Sequence, residues 1–123
     1  MKESKLGERM RVVIMSVTGN VSHDVGIELV NEIITAIGME KAPGNLLSRY
    51  PVNGKGGVGY TYFQPITESF ITFDAWPDLG GAYLFICSCG SLPLNKVFDS
   101  LKKFGLEGKQ FQYVKVGLNG NSL

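Results

Sequence analysis

Between Gly59 and Cys89 the chain carries three strand-like runs, Gly59 to Ile66, Ser69 to Trp76 and Gly81 to Cys89. The breaks between them, Thr67-Glu68 and Pro77 to Gly80, are short. Breaks of this length suit antiparallel neighbours, because a parallel crossover needs a dozen or more residues. Everything else in the chain has to be arranged around a meander of three paired strands.

The flanking segments supply what such a meander needs to bury one face. Arg9 to Thr18, RMRVVIMSVT, is rich in β-branched residues and ends at the turn signal Gly19-Asn20. Ser22 is a candidate cap for a helix in which Val30, Ile33, Ile34 and Ile37 fall at helical spacing, with Gly38 as its stop. The stretch 42–59, with Pro43, Gly44, Pro51, Gly54, Gly56, Gly57 and Gly59, allows a short strand near Leu46 to Val52 and then a flexible loop. A second helix is expected from Ser91, with Pro93 in its first turn and Leu94, Val97, Phe98, Leu101 and Phe104 on one stripe, closed by Lys102, Lys103 and Gly105. A last strand, QFQYVKVG, follows. This order predicts an α+β fold, a two-layer sandwich of a mainly antiparallel sheet with two helices on one face. Residues 9–118 are expected to form a single domain between a flexible N-terminus at 1–8 and a flexible tail at 119–123.

A chain of 123 residues buries a core without disulfides or metal. With 12 basic and 11 acidic side chains, nothing favours a polyanion or an acidic membrane, so neither nucleic acid nor membrane is expected as a partner. The longest apolar run, Ala82 to Cys87, is too short to span a bilayer, and MKESKLGERM lacks the apolar core of a signal peptide, so the chain reads as cytoplasmic. Cys87 and Cys89, two apart in a strand, turn to the same face and suit free thiols better than a mutual disulfide. The one histidine, His23, is expected at the surface, and no metal site is expected.

GKGGVG, Gly54 to Gly59, fits the G-x-G-x-x-G template but leads into YTYFQPI, a strand. A phosphate loop must open a helix whose amides hold the anion. A hairpin connection, or a loop near a site, is the better account.

Chemistry concentrates in Thr67 to Gly90. Asp74 in the apolar strand FITFDAW needs either solvent or a partner. Strict alternation puts Ser69 and Asp74 on opposite faces, so a contact between them requires a bulge or bend at Ser69. Ser69 opens one strand and Cys89 ends the next; paired as a simple hairpin, those two ends are expected to lie apart unless the sheet is short or a further chain contributes.

The segment TESFITFDAWPDLGGAYLFICSCG resembles the small prokaryotic S-adenosylmethionine decarboxylase family, pyruvoyl enzymes of polyamine (spermidine) synthesis. That family carries a pattern close to E-S-H-x-x-I-H-T-W-P-E, then a glycine-containing turn and a strand ending in T-C-G. Glu68-Ser69, Trp76-Pro77 and Cys89-Gly90 match it without a gap, with Asp78 for the final Glu. The resemblance implies self-cleavage between Glu68 and Ser69, with Ser69 becoming an N-terminal pyruvoyl group. This ketone condenses with a substrate amine and accepts electrons as carbon dioxide leaves. It further implies Cys89 as proton donor, Trp76 and Asp78 as substrate-binding residues, Thr61 at the place of an accessory Ser hydroxyl, and a homodimer with residues of two subunits around each site.

Two positions depart from the pattern. Phe70 stands where the family has the His after its Ser, and Asp74 where it has the second His, which is associated with driving self-cleavage. A carboxylate is a weaker base than an imidazole near neutrality. Three readings therefore stand side by side: decarboxylation of S-adenosylmethionine, decarboxylation of another amino acid such as arginine or ornithine, and an unprocessed homologue that binds a small molecule or a partner without catalysis.

Overall fold

The computed structural model describes residues 9–52 and 57–117. The expected flexible ends at 1–8 and 119–123 lie outside these, as do Gly54, Lys55 and Gly56 of the glycine-rich loop. Six strands and two main helices follow in the order β1 (Arg9–Thr18), α1 (His23–Ala36), β2 (Leu46–Pro51), β3 (Val58–Ile66), β4 (Ser69–Trp76), β5 (Gly81–Ser88), α2 (Leu94–Lys103) and β6 (Glu107–Gly117), with one turn of 3-10 helix at Pro77–Leu79. The strands form one sheet in the order β2-β3-β4-β5-β1-β6, and every pairing is antiparallel. This is the expected α+β arrangement.

Local chemistry sets the helix ends. The Ser22 hydroxyl accepts the Val25 N–H at the start of α1, and Gly38 just beyond its end has a φ of 80°. This is a side-chain cap at one end and a left-handed glycine at the other. α2 starts later than expected: Pro93, not Ser91, is its N-cap, and no side chain caps it. Proline fits there because the first N–H groups of a helix have no intrahelical partner in any case.

Alternation along the strands builds the core. Val13, Met15 and Val17 of β1, Tyr60 and Tyr62 of β3, Ile71, Phe73 and Ala75 of β4, and Ala82, Leu84 and Ile86 of β5 are buried on one face. Against them pack Leu29, Val30, Ile33 and Ile34 of α1 and Val97 and Leu101 of α2. Each large apolar side chain buried this way contributes about 1.5–3 kcal/mol. Among the described residues no helix covers the opposite face.

Two local features depart from plain strand pairing. A bulge between Met15 and Val17 breaks the β1–β6 register, and there the Ser16 hydroxyl accepts the Gln110 N–H at 3.0 Å. β3 and β4 are joined by only Thr67 and Glu68, since Ile66 pairs with Ser69. Among the described residues no helix is long and apolar enough to cross a membrane.

Candidate active site

Antiparallel pairing brings the start of β4 to the end of β5. Ser69 is the register partner of Ser88, so Cys89, the next residue, lies beside Ser69 and not at the far end of the hairpin. The sequence-based expectation that these ends lie apart is corrected here, for a simple reason: in a hairpin the second strand returns to where the first began. Met10 of β1 completes the group. Its Sδ lies 3.6 Å from Ser69 Oγ and 4.0 Å from Cys89 Sγ, so hydroxyl and thiol meet on one thioether.

The surroundings hold this group in place. Arg11 Nη1 donates to the Gly90 carbonyl at 3.0 Å and to the Cys89 carbonyl at 3.4 Å, and the Gly90 N–H donates to Ser88 Oγ at 3.0 Å. Cys89 is 3% exposed, whereas Ser69 is only half-buried, so the hydroxyl is reachable and the thiol is shielded. Both cysteines are free, as expected. Burial pushes the half-buried Cys87 thiol up, and the neighbouring Cys89 adds to the effect.

Glu68 immediately precedes Ser69 with a φ of 67°, the one non-glycine residue at positive φ among those described. Thr67 pins the turn, since its N–H and its hydroxyl both donate to the Glu40 carbonyl, at 3.0 and 3.4 Å. A tight turn fixed on both sides leaves Glu68 to absorb the unfavourable conformation.

Asp74 is elsewhere. β4 pairs with β3 and β5 in unbroken register, so no bulge turns Asp74 toward Ser69. Five residues of strand separate the two by roughly 17 Å. Asp74 does find Thr61, its register partner: Thr61 Oγ1 and Tyr50 Oη both donate to Asp74 Oδ1, each at 2.8 Å. Burial first, and then the bond to Asp74, hold the Tyr50 phenol above its ordinary range, so it remains a donor. Trp76 lies at this same far end, edge-on to Tyr83 with ring centroids 5.8 Å apart. Asp78 is exposed and sits against Gly57, where a Cβ would overlap its carboxylate.

Of the residues singled out from the sequence, the structure thus brings Glu68, Ser69 and Cys89 together at one end of the sheet, and Thr61, Asp74, Trp76 and Asp78 toward the other. His23 is half-buried, stacked on Tyr60 at 4.3 Å and accepting from Arg49 Nε at 2.9 Å. Met10, Arg11 and Tyr50 escaped the sequence reading. Only the alternation of β1 and the short strand at Leu46 hinted at them, because their partners are set by register across distant segments.

No family model matches the sequence, and no curated protein does. Among solved structures, the chain is similar to the adenosylmethionine decarboxylase from Aquifex aeolicus, with a TM-score of 0.56 and 16% identity over 88% of this chain and 89% of that one. The likeness spans nearly the whole of both chains, so the two share a fold.

Proposed function

We propose that the chain is a pyruvoyl-dependent decarboxylase resembling S-adenosylmethionine decarboxylase, which matures by cleaving itself between Glu68 and Ser69. The observation that carries this reading is the left-handed Glu68, whose carbonyl the Ser69 hydroxyl has to attack. Holding a non-glycine residue in that conformation costs on the order of 1–2 kcal/mol, and breaking the following peptide bond releases it.

The steps use the residues at hand. Ser69 Oγ bonds to the Glu68 carbonyl carbon and the peptide nitrogen leaves as an amine, which converts the amide into an ester. Removal of the residue 69 Cα proton then expels Glu68 as a carboxylate, and hydrolysis with loss of ammonia leaves a pyruvoyl group at position 69. Once formed, that group supplies the electron sink for decarboxylation. In this reading Cys89 returns a proton to the product, a role supported by its shielding from water and by the Arg11 contacts to its own and the next carbonyl.

Trp76, at the far end of β4, and Asp78, in the turn just beyond it, stand too far from Ser69 for one small substrate to touch all three in a single chain. A homodimer, in which a partner contributes the Trp76 end, resolves this. The apolar side chains Ile14, Val114 and Val116, between 42% and 50% exposed, offer a surface for it. S-adenosylmethionine is the substrate favoured by the resemblance, with arginine or ornithine as the alternative class.

One observation favours a second reading. The Ser69 hydroxyl has no Asp74 within reach in its own chain, and an uncleaved chain that binds a small molecule or a partner needs none. Intact-mass measurement after long incubation separates the two. Two fragments divided after Glu68, the second bearing a carbonyl that reacts with hydroxylamine, support the enzyme. A single mass for the wild type, indistinguishable from Ser69→Ala, leaves the second reading standing.

A further inference from the structure

Gln64 is buried where its core-facing neighbours along β3 are aromatic or aliphatic. It is 1% exposed, between the buried Tyr62 and Ile66, and the other buried polar side chains among the described residues, Ser88 and Ser100, are small hydroxyls. Taking a carboxamide out of water is costly unless its donors and its acceptor are used. Here they are used. Gln64 Nε2 donates to the Pro65, Ala42 and Gly44 carbonyls at 2.7, 3.1 and 3.5 Å, while Oε1 accepts from Tyr62 Oη at 3.0 Å.

These bonds close a gap in the sheet. β2 pairs with β3 without a break from Pro51↔Val58 to Leu46↔Phe63, and beyond that the pairing resumes as a single bridge, Lys41↔Ile66. Between the two lie Pro43, which has no N–H to give, and Gly44, at a φ of 89°. The regular ladder does not run through them, and the Gln64 side chain takes the Ala42 and Gly44 carbonyls instead. On the far side of the gap residues 40–42 are held along residues 65–67. The Ala42 N–H donates to the Pro65 carbonyl at 3.0 Å, and the Glu40 carbonyl accepts both the N–H and the hydroxyl of Thr67. Next in the chain is Glu68, at its φ of 67°.

We propose that Gln64 is a positioning residue for self-cleavage: acting through residues 40–44 and Thr67, its carboxamide keeps Glu68 in the left-handed turn that presents the scissile carbonyl. Gln64 stands opposite Ile71, not Ser69, so it acts on the reaction through the turn. This role rests on the self-cleavage reading, whereas the hold on the turn can be measured without it.

Packing alone would be served by an unbranched apolar residue of similar length, so Gln64→Met separates packing from hydrogen bonding. Ile33→Val, a core change in α1, is the control for general loss of stability. In the full chain carrying Ser69→Ala, which stops any processing, native-state hydrogen exchange should show the Thr67 and Ala42 amides exchanging about tenfold faster in Gln64→Met, and unchanged in Ile33→Val. With Ser69 restored, a mass time course should show fragments appearing about tenfold more slowly from Gln64→Met than from wild type or Ile33→Val. Tyr62→Phe, which releases only Oε1, should shift both readouts the same way by about threefold, and it carries the test if Gln64→Met does not fold. Unchanged Thr67 exchange in the folded variants overturns the proposal, as does equal acceleration in Ile33→Val. Faster exchange with cleavage at the wild-type rate overturns the positioning role. A wild type that stays whole removes the self-cleavage reading and that role with it, while the exchange result still decides whether Gln64 holds the turn.

Discussion

The Ser69 hydroxyl and the Cys89 thiol rest on the same atom, the Met10 sulfur, at 3.6 and 4.0 Å. One residue is half-buried and the other shielded, so the pair sets a reachable hydroxyl beside a thiol kept from water. Asp74, at the position that most distinguishes this chain from the family pattern, lies outside the pair and is engaged by Tyr50 and Thr61.

Glu68 is where the backbone holds its strain, with its φ of 67° in a two-residue turn. Glycine adopts that conformation freely. In a Ser69→Ala background, Glu68→Gly should raise unfolding stability by about 0.5–1 kcal/mol, measured by urea titration. With Ser69 present, the same change should slow the appearance of fragments in a mass time course, because less strain is released. A loss of stability, or faster cleavage, would show that the turn does not work as described.

Gly26 in α1 faces Tyr60 so closely that an added Cβ would collide with the phenol oxygen. That oxygen donates to the Val21 and Ser22 carbonyls, at 2.9 and 2.8 Å, and ties the helix start to β3. In an open helix Gly→Ala gains close to 1 kcal/mol. Here Gly26→Ala should instead destabilise by roughly 2–3 kcal/mol, through displaced packing and a lost buried bond. A shift of the urea midpoint to higher concentration would contradict this.

Stability should fall on the alkaline side. Burial raises the phenols of Tyr60 and Tyr62, and burial with the Asp74 contact raises Tyr50. The native chain therefore keeps protons that the unfolded chain releases above its ordinary tyrosine range near pH 10. Their contribution is fully present below about that pH and is lost as pH rises through it. Tyr60→Phe should cost about 1–2 kcal/mol near pH 7, from the two lost hydrogen bonds. The gap to wild type should then narrow above about pH 10, as Phe has no proton to lose. Urea midpoints taken from pH 7 to pH 11 test both halves.

The local signals in the sequence carried the architecture far. Ser22 capping α1, the bounds of β1 and β4, and the two-residue Thr67-Glu68 break all stand in the structure as the sequence indicates. Each depends on neighbours within a few residues, where propensity and spacing act directly. The start of α2 was misplaced by a few residues, because Ser91 and Pro93 are both acceptable at a helix start and the packing of Val97 and Leu101 chooses between them.

The site was legible only in part. Glu68, Ser69, Cys89, Thr61 and Asp74 were visible as residues, but which of them meet was not. That depends on the register of strands far apart in the chain: Ser69 opposite Ser88 brings Cys89 close, and Thr61 opposite Asp74 occupies the carboxylate. Met10 and Tyr50 enter through β1 and β2, which no short motif links to β4. The sequence by itself determined the elements, the antiparallel meander and the identity of its chemical groups. Tertiary structure alone decided their grouping, because a one-residue change in register turns every side chain to the other face and the buried rows of the core admit one register.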